Sequence, residues 1–118
     1  RYDEALNETK ICVRQNYSSF TLSLLGKIYA MMGENAEARM VLEKMEDLRS
    51  TQSVGNFDVA VVYAGLREFD KTFQLLEKAL NAREGFMLYL KYYLPNYPEL
   101  EKDPRSKELA LKIVALNN

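Results

Sequence analysis

Histidine and tryptophan are absent from the 118 residues, and cysteine occurs once, at Cys12. The missing histidine removes the commonest metal ligand and the usual general base together. A single cysteine cannot close an internal disulfide, so it says little about redox compartment. With 5 Gly and 3 Pro, the chain has no Gly-rich phosphate loop and few breaks. Basic and acidic residues number 16 and 17, for a net charge of -1, and form no block or stripe of one sign. Nucleic acid is therefore not an expected partner of this segment. The longest apolar-looking run, Phe86 to Leu94, contains Lys91 and falls short of the roughly 20 residues that span a bilayer. No membrane role is expected.

What remains is ordinary for one folded domain: 47% hydrophobic and 28% charged residues. No signal peptide is visible, which suggests a cytoplasmic setting. The chain opens on Arg1 and not on Met, and reads as a segment of a longer protein.

The chain also repeats itself. A shift of 34 places Tyr29-Ala30 on Tyr63-Ala64, Glu34 on Glu68, and Leu42-Glu43-Lys44 on Leu76-Glu77-Lys78. Similar classes also align, with Gly26 on Ala60, Leu25 on Val59, Ala38 on Thr72 and Met45 on Ala79. Each unit resolves into two helices by its apolar period. The first runs from about Ser19 to Met32, with Leu22, Leu25, Ile28, Tyr29 and Met32 on one face. Gly33 is read as its end and Asn35 as the cap of a second helix to Leu48. The next copy spans about Gln52 to Leu66 and Asp70 to Arg83. An earlier half-copy at Tyr2 to Asn16 echoes a second helix, with Ala5, Thr9 and Cys12 on its stripe.

After Glu84 the echo fails, because Pro95 and Pro98 would each break a helix at about 3 kcal/mol or more. A helix from Phe86 to Leu94 is expected there, then an irregular turn to Asp103. A last helix runs from Pro104 to about Leu116, with Asp103 as cap. Residues 1–118 are thus one all-α domain. Residues 1–16 form the second helix of a truncated repeat, 18–50 and 52–84 are whole repeats, and 85–118 are closing helices.

The repeat resembles the tetratricopeptide repeat. That family places a large residue, Leu-Gly, Tyr three positions on, then Ala and an apolar residue at places held here by Leu22, Leu25-Gly26, Tyr29, Ala38 and Leu42. The second copy has Asn56, Val59-Ala60, Tyr63, Thr72 and Leu76. The usual Trp is missing, and Ser50 and Glu84 stand where the closing Pro would be. The tail from Leu90 to Arg105 looks like the segment that closes such arrays in bacterial signalling proteins and transcription regulators. It departs from that pattern at Pro98-Glu99, which lacks an aromatic, and at Ser106. The resemblance implies an α-α superhelix of antiparallel helix pairs and a non-catalytic protein–protein interaction module, part of a larger bacterial regulatory protein.

The residues offer little for catalysis, and no cofactor or metal is expected. Ser18, Ser19, Ser23, Ser50 and Ser53 have no histidine and no nucleophile elbow. Glu34 and Glu37 read as a polar corner. Cys12 reads as a small buried residue. The triplets at Asn7 and Asn16 fit N-glycosylation, but without a signal peptide they read as accidental. Tyr29, Tyr63, Phe73 and Phe86 are taken as core. Tyr89, Tyr92, Tyr93 and Tyr97 crowd the tail, where they would cap the last repeat.

In such a stack the first helices of each pair line a concave strip. Phe20, Ser23, Leu24, Lys27 and Met31, then Val54, Phe57, Asp58 and Val61, point away from the packing stripe. The set is unusually apolar for a wet surface, the mark of an interaction site. Two readings stand side by side: an open groove for a protein or peptide, or a strip covered by the tail or by a neighbouring subunit. The tail is expected to close the end of the stack and leave the groove free. The slots at which related arrays grip a chaperone's C-terminal carboxylate are filled by Ser23, Lys27, Asp58, Leu88 and Tyr92, and Asp58 would repel that ligand. A second function is self-association of the parent through the open face of the Tyr2 to Asn16 helix.

Overall fold

In the computed structural model, which describes residues 1–85 and 90–117, the described residues are mostly helical, and no strand occurs among them. Five helices come first: α1 (Tyr2–Gln15), α2 (Ser19–Met31), α3 (Asn35–Leu48), α4 (Asn56–Gly65) and α5 (Phe69–Asn81). Then come α6, described over Leu90–Tyr93, α7 (Pro98–Lys102) and α8 (Pro104–Asn117). The chain packs mainly neighbour on neighbour, with α2 against α1, α3 and α4, and α4 against α5.

The 34-residue echo is present in the backbone. Gly33 ends α2 with φ +84°, and its N–H donates to Ala30 O at 3.0 Å while Glu34 N–H donates to Tyr29 O at 2.8 Å. One repeat later Arg67 has φ 61°, with Arg67 N–H to Ala64 O and Glu68 N–H to Tyr63 O, both 3.0 Å. Arg83, φ 55°, closes α5 with the same pair of bonds. Each is a left-handed helix end that satisfies two late carbonyls.

Helix starts differ from the sequence expectation in instructive ways. Ser18 and Thr21 cap α2 reciprocally, Oγ accepting from Thr21 N–H and Oγ1 from Ser18 N–H, both at 3.2 Å. Asn35 is the first residue of α3, not its cap. Glu34 holds the cap position without a side-chain bond. α4 begins at Asn56 and not near Gln52, after an extended Gly55. The expected turn before Asp103 contains α7, whose first residue is Pro98, a place where the missing N–H costs nothing. The tail helix expected from Phe86 is described from Leu90, and Phe86, Leu88 and Tyr89 lie outside the described residues. α8 starts at Pro104 as read, with the Asp103 carboxylate accepting from Arg105 N–H at 2.9 Å.

Leu25, Gly26, Ala38, Ala60, Thr72 and Leu76 are buried, while Tyr29, Leu42, Val59 and Tyr63 are half-buried. The two tyrosines keep one ring face near an ammonium, Lys10 and Lys71 respectively, each 5.9 Å away. Gly26 sits where α2 meets both α3 and α4. A Cβ there would lie 2.8 Å from Val62 Cγ2 and 3.2 Å from Val41 Cγ1. α2 and α4 meet again at Gly65, where a Cβ would lie 3.0 Å from the Ala30 Cβ. Cys12 is exposed, against expectation. The buried face of α1 runs through Leu6, Thr9 and Val13, and Cys12 falls one helical step of about 100° off it.

α8 is fastened to α5 by Leu109 inside and by ion pairs outside. Arg105 spans Asp103 (2.8 Å) and Asp70 (2.9 Å) and lies 4.6 Å over the Phe73 ring, and Lys112 meets Glu77 at 2.7 Å. Exposed pairs of this kind contribute about 0–1 kcal/mol each, so the apolar contact holds the helix. No described helix is long and apolar enough to cross a membrane.

Candidate functional site

Eight of the nine strip residues come from α2 and α4, as the spacing predicts, and Val54 lies just before α4, but they do not form an open surface. Phe57 and Val61 are 1% exposed, Asp58 is 6% exposed, and Ser23 and Val54 are also buried. Phe20, Leu24, Lys27 and Met31 are half-buried. Each departure has its own cause. Val54 precedes α4, so helical spacing does not govern it, and it joins the core beside Leu22 and Val62. Ser23 turns its hydroxyl back onto Phe20 O at 2.6 Å. Phe57 and Val61 lie in a cluster that also takes in Leu90, Tyr93, Leu94 and Tyr97 from the tail.

The tail therefore does two things. Leu100 and Leu109 close the end of the stack against Phe73 and Leu76. Before that, the segment beginning with α6 lies across the α2–α4 strip. The Tyr93 ring stands edge-on to Phe20 (centroids 5.4 Å, 88°) and to Phe57 (6.1 Å, 77°), favoured geometries for aromatic pairs. Lys27 Nζ donates to the Tyr93 carbonyl at 3.1 Å. Burial pushes the Lys27 ammonium below its ordinary pKa, and it makes no ion pair among the described residues. Farther along, Tyr97 OH donates to Gly65 O at 3.2 Å, and the Arg67 guanidinium lies 4.0 Å over the Tyr97 ring.

The second polar cluster lies where α4 begins. The Glu84 carboxylate, just beyond α5, accepts from the backbone N–H of Asn56 and of Phe57, both at 2.9 Å, and from Asn56 Nδ2 at 3.0 Å. It thereby caps a helix that starts 28 residues earlier in the chain. Beside it, Ser19 Oγ donates to Asp58 Oδ2, while Asp58 Oδ1 is buried with no donor among the described residues. Burial first, and the Glu84 charge in addition, push the Asp58 carboxyl above its usual range, and the Ser19 bond opposes that only in part. The arrangement can hold a proton. The Glu34 and Glu37 pair, by contrast, is exposed.

Because the Asp58 pKa is raised on folding, protonated Asp58 favours the folded state. That contribution is full below the unfolded carboxylate value and is lost as pH rises through the folded one. Asp58→Asn keeps an acceptor for Ser19 and removes the charge. At pH 7 the variant is expected to be more stable than the parent by about 1 kcal/mol, since the orphaned charged oxygen is gone. The advantage should shrink towards pH 4, as urea midpoints across that range would register. A parent whose stability rises with pH relative to the variant contradicts the assignment.

Sequence reasoning missed Tyr93, Glu84 and Ser19 as contributors here. The crowd of tyrosines in the tail was the one visible signal for Tyr93, and nothing local marks Glu84. No protein-family model matches the chain, and comparisons with curated proteins and with solved structures give no match either.

Proposed function

We propose that the chain is a tetratricopeptide-type array of helix pairs that serves as a non-catalytic protein–protein interaction module, within a larger bacterial regulatory protein of the cytoplasm. The supporting observation is the α2–α4 face itself. Its Phe20, Leu24, Lys27 and Met31 edge is half-open, and its deeper residues are sheltered by the tail around Tyr93. The 34-residue recurrence of helix ends supports the array reading. A photo-crosslinking residue placed at Leu24 or Met31 in the parent organism is expected to form adducts with a distinct protein. The same residue at Met40, 50% exposed on α3, is expected not to. Adducts only at Met40, or none at any position, count against the reading.

Self-association is favoured by a different surface. α1 leaves Tyr2 and Ile11 exposed at 47% and 43%. Sedimentation across a concentration series separates the two readings, because a monomer at high concentration removes self-association.

A further inference from the structure

Two carboxyls meet where α2, α4 and the exit of α5 come together, and the hydrogen bonds around them are shared out unevenly. We propose that this joint is a proton-binding site in which Glu84 keeps the charge and Asp58 keeps the proton, and that the packing of α4 on α2 is thereby tied to pH.

Donor supply sets the two roles. Glu84 accepts from Asn56 N–H, Phe57 N–H and Asn56 Nδ2 through both of its oxygens, the pattern of an ionised carboxylate at a helix start. Two of the free amides that could have stabilised a charge on Asp58, in the first turn of the same helix, are therefore already taken. Asp58 is left with one donor, Ser19 Oγ, on Oδ2, while Oδ1 has none among the described residues. The residue is only 6% exposed, so bulk water does not make up the difference. The two carboxyls also lie close together. A Cβ on Gly55 would come 3.2 Å from Asp58 Oδ2 and 3.2 Å from Glu84 Oε1, which puts both oxygens beside one backbone position. Like charges so near each other disfavour double ionisation.

No ion pair among the described residues relieves either carboxyl. α2 offers the Ser19 hydroxyl and, about two turns on, Lys27, whose ammonium donates to Tyr93 O. The end of α3 carries Lys44, Asp47 and Arg49, all exposed, with Arg49 bound to Glu46. Lys78 and Arg83, near Glu84 in the chain, are exposed too. The tail brings the Tyr93 ring against Phe57, and the stretch Phe86 to Tyr89 contains no ammonium, guanidinium or carboxylate side chain. Burial first, and then Glu84 as the one charge acting on it, lift the Asp58 carboxyl above its usual range. Protonated Asp58 favours the folded chain, so stability is full below the carboxyl's unfolded value and falls as pH rises through the folded one.

The test follows the side-chain carboxyl carbons of the full, isotopically labelled chain by NMR from about pH 4 to 8. Asp58 is expected to titrate above the exposed Asp3 and Asp47. Glu84→Gln removes the neighbouring charge and should move the Asp58 midpoint down, whereas Ser19→Ala removes its one donor and should move it up. Urea midpoints read the coupling. The pH at which stability falls should rise in Ser19→Ala together with the Asp58 titration, a shift that loss of a contact alone does not produce. Circular dichroism checks folding, and if Glu84→Gln does not fold, Ser19→Ala decides by itself. An Asp58 midpoint level with Asp3 and Asp47, or one that a folded variant leaves in place, overturns the proton site. A fall in stability that stays put while the titration moves overturns its tie to the packing.

Discussion

Gly26→Leu is expected to abolish the native fold, or to lower its stability by about 3 kcal/mol or more. Overpacking a tight core position typically costs 1–3 kcal/mol, and this position is tighter than most. The first added carbon alone would lie 2.8 and 3.0 Å from the two Val62 methyls and 3.2 Å from a Val41 methyl. Those methyls sit on two different helices, so no single side-chain rotation clears them. Gly26→Ala is the informative companion, because alanine is the better helix former by about 1 kcal/mol. That gain is expected to be outweighed by the clash in the parent, and to reappear when Val62→Ala removes the nearest atoms. Urea midpoints of the two singles and the double decide it. If alanine stabilises the parent outright, the close approach is softer than the geometry implies.

Phe57→Ala should cost about 3–5 kcal/mol, the usual price for emptying a buried phenylalanine. The ring is 1% exposed and lies between Val61, Phe73 and the tail tyrosine. Phe57→Asp should therefore unfold the chain. This reverses the expectation from sequence, where Phe57 and Leu24 were equivalent members of one strip. Leu24 is half-buried, and Leu24→Asp is expected to leave a folded protein. Thermal melts of the two aspartate variants separate core from edge. Equal tolerance would return Phe57 to the surface.

The contrast between these two residues marks the limit of what the sequence makes legible. Features set by neighbours along the chain were readable: Gly33 ends α2, Asp103 and Pro104 start α8, and Gly26 and Ala60 hold small slots one repeat apart. Such signals are local, and the repeat shows the helix end and the small slot twice. The cover over Phe57 and Val61 was not readable, because it comes from Tyr93, more than thirty residues away, with no periodic counterpart. An apolar strip looks alike in sequence whether water, a partner or the chain's own tail lies on it. Cys12 failed for a smaller reason: a helical stripe assigned one residue off puts a side chain in solvent.

The cap on α4 has a consequence for the order in which the chain can acquire structure. Synthesis delivers Asn56 and Phe57 well before Glu84, the residue whose carboxylate receives their amides. A nascent chain that has emerged only through α5 carries an α4 whose first two backbone N–H groups still lack their acceptor. Docking the exit of α5 back onto the entrance of α4 turns that helix pair into a closed unit. A ribosome paused before residue 84 would hold the second repeat open, and one paused just after it would let the pair lock.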